Sequence, residues 1–238
     1  MSPELARELE ALAADRVSGA VALAARAIDM VLAAVPGEQE DVAASLMRMH
    51  PAIVTVANVG RLVAGGASRE ALGALRRSLV EGNAAIAREL ARFVPGGGVV
   101  VTLSDSSTVE AALGALQPRR VLVLESRPGG EGAHFAARVG GQVVPDAAAG
   151  LAAEQADLAI VGVDAYDAAG AILHKLGTLP LALACRRFRK PFYAAGHTFK
   201  LAPVSVDRLL EAAGADAPFD VTPADLVTAL VTERGRRV

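Results

Sequence analysis

The chain has 238 residues, 53% of them hydrophobic and 21% charged, with a formal net charge of -2. That composition excludes a disordered chain and gives no overall electrostatic pull toward nucleic acid or an anionic membrane. One cysteine, Cys185, excludes an internal disulfide framework, and the absence of tryptophan leaves too few aromatic platforms for stacking single-stranded nucleic acid.

The N-terminus, Met1-Ser-Pro-Glu4, turns charged at once and does not read as a signal peptide, so a cytoplasmic setting is expected. Pro3 suits a first helical position with Ser2 as its N-cap, and Leu5, Leu9, Leu12 and Val17 form an apolar stripe. A second helix is predicted from Gly19 to Ala34, stopped by Pro36 and Gly37. Its region, Val17 to Val35, is apolar but interrupted by Arg26 and Asp29, which suits a buried helix rather than a membrane span. Further helices are predicted over Glu38–Met49 and Ile53–Val63, broken before Pro51 and at Gly65-Gly66 respectively. Ser68 then caps a long helix through Phe93, with Leu72, Leu75, Leu79, Ile86 and Leu90 as its apolar stripe.

Pro95-Gly-Gly-Gly98 interrupts the chain, and the period changes. Short apolar strands now alternate with helical stretches, and each strand ends on a polar cluster. Val99–Leu103 runs into Ser104-Asp-Ser-Ser107, and Arg120–Leu124 into Glu125-Ser-Arg127. Asp157–Val163 runs into Asp164, and Pro191–Ala195 into Gly196-His197. The alternation predicts an α/β fold in which a doubly wound parallel sheet follows a helical N-terminal domain, with the boundary near residue 95. Domains are thus expected at 1–95 and 96–238. Ligands in such sheets bind beyond the carboxyl ends of the strands, which is where these polar clusters fall.

Each cluster has more than one reading. Ser104 to Thr108 leads into a helix, where hydroxyls and backbone N–H groups of Ser106 and Ser107 either cap the helix or hold an anion. Asp164 is either a turn carboxylate or, desolvated at a strand end, an acid–base group with a raised pKa. Arg127, held by Pro128, and Lys175, placed where a helix is expected to begin, are solvated charges or phosphate ligands. The four histidines have no metal-ligand spacing, and neither a metal nor a cofactor is expected. Cys185 reads as a buried inert thiol, and Arg186 to Lys190 as cations closing a helix.

These segments resemble a known family. Thr102–Thr108, Glu125–Gly132, Val161–Ala165, His174–Thr178, Pro191–Tyr193, Thr198–Lys200 and the ending Phe219–Gly235 occur in the order and spacing of the initiation factor 2B α/β/δ subunits. That family includes ribose-1,5-bisphosphate isomerase and methylthioribose-1-phosphate isomerase. Asp15–Ala20 resembles its N-terminal segment, and the resemblance covers nearly the whole chain.

The resemblance implies a helical domain, a Rossmann-like domain, and a homodimer or larger homo-oligomer. It also implies a phosphorylated sugar or nucleotide as ligand, with neither direct nucleic-acid nor membrane binding. In the isomerases a cysteine and an aspartate move protons between C1 and C2 of a sugar 1-phosphate. Here the aspartate is Asp164, and Ser104 stands in the cysteine's place with Asp105 beside it. The family's asparagine–lysine pair becomes His174 and Lys175, and the arginine of its Glu-Ser/Thr-Arg-Pro motif matches Arg127. The N-terminal arginine–glycine motif aligns with Ser18 and Gly19, so that arginine is missing, with Arg16 nearby. Asp164, Ser104 and Asp105 are therefore the catalytic candidates. The ligand-binding candidates are Ser18, Gly19, Ser106, Ser107, Arg127, His174 and Lys175. A serine is a far weaker acid than a cysteine, so two functions are carried forward: a sugar-phosphate isomerase, or a non-catalytic initiation-factor-like subunit that senses a sugar phosphate.

Overall fold

A computed structural model describes residues 1–15, 18–35, 37–49 and 53–237. Arg16, Val17, Pro36, His50 and Pro51, which figure in the sequence reading, lie outside the described residues. The chain divides into two compact units, Met1–Glu81 and Gly82–Val238.

The first unit is helical. It holds α1 (Pro3–Ala14), α2 (Ala20–Ala33), α3 (Gln39–Arg48), α4 (Val54–Ala64) and the start of α5 (Arg69–Ala91). Ser2 caps α1 through its hydroxyl, which accepts from Leu5 N–H, and Pro3 occupies the first turn. Leu5, Leu9, Leu12, Leu23, Ile28, Leu46, Val56 and Leu79 are buried, as the helical stripes require. Ser68 accepts from Ala71 N–H at the head of α5, and Arg76 forks onto both oxygens of Asp29. No described helix is long and apolar enough to cross a membrane.

The second unit contains β1 (Val99–Leu103), α6 (Ser107–Leu116), β2 (Arg120–Leu124), α7 (Glu131–Val139), β3 (Gln142–Val144), α8 (Ala149–Gln155) and β4 (Leu158–Gly162). Next come β5 (Ala165–Tyr166), β6 (Ile172–Lys175), α9 (Thr178–Arg187), β7 (Phe192–Ala195) and α10 (Val206–Ala213), and then β8 (Phe219–Thr222), β9 (Ala229–Thr232) and β10 (Gly235–Arg237). The main sheet has seven strands in the order β10-β9-β7-β4-β1-β2-β3. All neighbours are parallel except β10, which returns antiparallel to β9.

Alternate residues of each strand feed opposite cores. Val99, Val101, Leu103, Ala159 and Val161 face a core completed by Ala152 and Ala153 of α8 and by Leu181 and Cys185 of α9. Val100, Val121, Val123, Leu158 and Ile160 face the other, completed by Ile86 and Leu90 of α5, Val109 and Leu113 of α6, and Phe135 of α7. A sheet covered on both faces explains why its strands are almost uniformly apolar. Cys185 is buried, and burial pushes its thiol up to about 12, against a small opposing effect of Lys190.

A second sheet, β5-β6-β8, is antiparallel and departs from the expected plain alternation. It moves His174 and Lys175 from the predicted helix start onto β6, where they pair with Asp220 and Phe219; the helix begins only at Thr178. Strand order reverses between β1 and β4, which lie side by side and lead away to opposite edges. Such a switch point opens a crevice at the carboxyl ends of both strands.

The turn from β2 into α7 depends on a missing side chain. A Cβ on Gly132 would lie 1.9 Å from the carbonyl oxygen of Leu124. Gly132→Ala therefore forces helix and strand apart and is expected to lower the melting temperature by about 3–10 °C in calorimetry. On α6, a Cβ at Gly114 meets nothing within 4 Å. Gly114→Ala should raise it by about 1–3 °C, and equal effects at both positions would refute the close approach.

Candidate functional site

The carboxyl ends of β1, β2, β4 and β6 bring a group of polar side chains together. Asp164 follows β4, and its Oδ2 lies 2.9 Å from Nδ1 of His174 on β6. His174 is 5% exposed, and its Nε2 is buried with no hydrogen-bond partner among the described residues. Lys175 is also buried, with Nζ 2.9 Å from Oε1 of Glu131 at the start of α7. The same Glu131 oxygen accepts from the Ser104 hydroxyl at 3.0 Å. Lys200, buried in a 3₁₀ turn after β7, donates to the carbonyl oxygen of Val163 and acts electrostatically on Asp164.

Asp164 differs from expectation in its charge state. Burial alone would raise its pKa. The hydrogen bond and charge of His174, followed by the charges of Lys200 and Lys175, outweigh burial and hold it below its ordinary value. The carboxylate is thus ionised, not poised as an acid. Lys200 is held below its ordinary value by burial, with Asp164 opposing that shift.

The loops are held from behind by backbone hydrogen bonds. Ser104 and Ser126 both have left-handed backbones, with φ of 67° and 68°. The Ser104 N–H donates to Ser126 Oγ at 2.7 Å, and that hydroxyl donates to the Leu124 carbonyl. Asp146 accepts from the N–H groups of Ser126 and Arg127, each at 2.8 Å. Asp220 accepts from Gly177 and Leu179 at the head of α9; burial raises its pKa against these bonds. An unfavourable backbone at a non-glycine residue persists where surrounding bonds over-determine it, and such positions cluster at functional sites.

The remaining candidates are placed differently. Asp105 points into an exposed fork with Arg138, at 2.6 and 2.9 Å, and so does not join Asp164. Ser106 caps α6 by accepting from Val109 N–H, and its Oγ would lie 2.7 Å from a Cβ on Gly162, beside His174. The exposed Ser107 hydroxyl accepts from Asn83. Arg127 is exposed, 3.6 Å from Glu125, on the loop that leads to Glu131. Ser18 and Gly19 belong to the first unit, where Ser18 donates to Asp15 and Gly19 precedes α2. Arg186 and Arg187 close α9, and Arg186 pairs with Asp225.

Glu131 and Lys200 were not singled out from the sequence. Both sit inside the quoted family segments, but no spacing rule marks a glutamate at the first turn of a helix or a lysine in a short turn.

Residues 16–217 match the family described as the Initiation factor 2 subunit family. The chain belongs to that family. A translation initiation factor eIF-2B subunit 2-like protein of Pyrococcus horikoshii is 32% identical over 214 residues, spanning 80% of this chain and 77% of its own length. A ribose 1,5-bisphosphate isomerase of Haloterrigena turkmenica is 28% identical, spanning 99% of this chain and 90% of its own. Among solved structures, the Pyrococcus horikoshii OT3 translation initiation factor eIF-2B superposes with a TM-score of 0.83 at 26% identity, covering 99% of this chain and 97% of that one. The initiation factor 2 subunit family thus joins proteins named as isomerases and proteins named as translation factors on one fold, and the site must decide between them.

Removing the charge of Asp164 tests its place in the cluster. Asp164→Asn should cost about 1–3 kcal/mol at pH 7, because Lys200 and His174 lose a charged partner. The folded carboxyl titrates below its ordinary 3.8, so its stabilisation is complete above that value and is lost as pH falls through the lower folded one. In urea denaturation the gap between native protein and variant should close below about pH 4. A gap constant from pH 7 down to pH 2.5 would remove Asp164 from the cluster.

Proposed function

We propose that the crevice at the carboxyl ends of β1 and β4 binds a phosphorylated sugar and that the protein interconverts the aldose and ketose forms of a sugar 1-phosphate. The observation that carries this reading is the ionised Asp164 set among His174, Lys175 and Lys200 at the switch point of the sheet. An apolar-ligand site would not bury two lysines and a carboxylate together, since each isolated charge is expensive to desolvate. Lys175 and the exposed Arg127 supply cations for phosphate, and Ser106 and Ser107 stand at a helix N-terminus that favours anions. The isomerase name of a relative spanning nearly the whole chain supports the same substrate class.

One observation favours a second reading, in which the site senses a sugar phosphate without converting it. Ser104 stands where the resemblance places a cysteine, and its proton is already donated to Glu131. A serine hydroxyl lacks the acidity of that thiol, and loss of one acid–base group costs on the order of 10²–10⁴ in rate.

A thermal-shift screen separates these readings, using ribose 1,5-bisphosphate, 5-methylthioribose 1-phosphate, ribose 5-phosphate and nucleoside monophosphates. A ligand at about 100 times its Kd adds about 2.7 kcal/mol of stability and should raise the melting temperature by several degrees. Lys175→Ala combined with Arg127→Ala should abolish the shift, and an undiminished shift would remove the phosphate site. Proton NMR of the best binder then shows either a growing ketose, which supports the isomerase, or an unchanged sugar, which supports the sensor.

A further inference from the structure

The His174 ring is more than a partner for Asp164. Its Nδ1 is 2.9 Å from an ionised carboxylate, so that nitrogen carries a hydrogen and donates it. In its neutral form the ring then keeps a lone pair on Nε2, and Nε2 is the nitrogen that is buried and unpartnered among the described residues. A buried polar atom without a partner costs free energy, and a folded protein that keeps one calls for an explanation.

The neighbourhood supplies one. At the end of β4, a Cβ on Gly162 would lie 2.7 Å from Ser106 Oγ and 3.3 Å from Cε1 of His174, the carbon between the two ring nitrogens. Glycine at this position thus lets the Ser106 hydroxyl and the edge of the imidazole close on the same point of the strand end. The charged groups around the ring are Asp164 at the turn after β4, Asp220 directly opposite on β8, Lys175 next to it on β6, and Lys200, whose charge acts on Asp164. Two carboxylates flank the imidazole, so an imidazolium formed there is compensated from both sides.

We propose that His174 is the proton-transferring residue of this site, with Nε2 as the working atom and Asp164 as the residue that fixes its tautomer and supports its positive charge. The proposal rests on the isomerase reading above. In an aldose-to-ketose conversion of a sugar 1-phosphate that uses no other proton carrier, the hydrogen on C2 moves to C1 with its bonding electron pair. The bond from C1 to the ring oxygen breaks, the hydroxyl on C2 gives up its proton as its carbonyl forms, and the ring oxygen takes up a proton. C2 loses two electrons and C1 gains two, so no external oxidant or reductant enters. Nε2 takes the proton from the C2 hydroxyl and delivers it to the ring oxygen, returning to its starting state. A serine at position 104 is then tolerable, because the oxygen-bound proton does not pass through it.

The test uses the whole chain and the variant His174→Asn, which keeps a donor for Asp164 but has no titrating nitrogen. Long-range proton–nitrogen NMR of the native protein, with the signal assigned by its loss in the variant, should show the neutral ring protonated on Nδ1. A neutral ring protonated on Nε2 overturns the proposal. With ribose 1,5-bisphosphate as probe, His174→Asn should retain the thermal shift and lose at least about 100-fold in kcat with little change in KM. A variant that binds the probe and turns it over within threefold of the native rate sinks the role of His174 and leaves the isomerase reading intact. Binding without turnover by the native protein, or no binding by any variant, sinks the isomerase reading and this inference with it.

Discussion

The ionised carboxylate of Asp164 is the interaction on which the rest of the crevice depends. A parallel sheet covered on both faces offers few wet positions, and the loops at its carboxyl ends are where polar chemistry can be placed. Asp164 occupies such an end while its side chain keeps only 22% of its exposure. A carboxylate there is costly unless neighbours compensate it, and a buried cation is equally costly without an anion. Asp164 answers for several at once: it accepts from His174, and its charge offsets those of Lys175 and Lys200. Remove it, and Lys200 loses the carboxylate that offsets its burial, while Lys175 keeps Glu131.

The topology exists to serve that cluster. The main sheet alone would place Asp164 beside the ends of β1 and β7. The small antiparallel sheet is inserted directly after Asp164 and returns β6 with His174 and Lys175 against it. Its outer strand, β8, brings Asp220, which holds the head of α9. The same device recurs around the site: Asp146 clamps the loop after β2, and Asp167 accepts from the N–H groups of Ala169, Ala171 and Val206. A carboxylate that receives two or three backbone N–H groups fixes a loop without a hydrophobic core beneath it. Such loops supply a site that is already organised before a ligand arrives.

The strands that matter were legible because their signal is local. Val99–Leu103 and Arg120–Leu124 are apolar runs bounded by breakers, and the structure has strands with those same limits. Asp164 was visible as the polar residue that ends such a run. The β6–β8 pairing was not visible, because it joins residues about forty-five positions apart and leaves no periodicity in either segment. That is why Lys175 reads as a helix start in the sequence and stands on a strand in the fold. Asp105 misleads for a related reason: adjacency to Ser104 says nothing about direction, and Arg138 on α7 turns its carboxylate outward. The raised pKa expected for Asp164 fails because burial can be read from a strand end, whereas the groups that overrule it, His174, Lys175 and Lys200, come from β6 and from the turn after β7.

Ser104 and His174 are best understood together. Ser104 keeps the strained left-handed backbone of a residue presented at a strand end, yet its hydroxyl proton is committed to a carboxylate that also holds Lys175. The serine and the lysine share the same Glu131 oxygen. The hydroxyl, the lysine and the glutamate therefore behave as one tied unit that shapes the crevice. His174 has the opposite character: one nitrogen is tied, and the other is left buried without a partner. One polar group is thus spent on structure and another is withheld from it. In this member of the initiation factor 2 subunit family, the proposed catalysis rests on the unsatisfied nitrogen rather than on the strand-end serine.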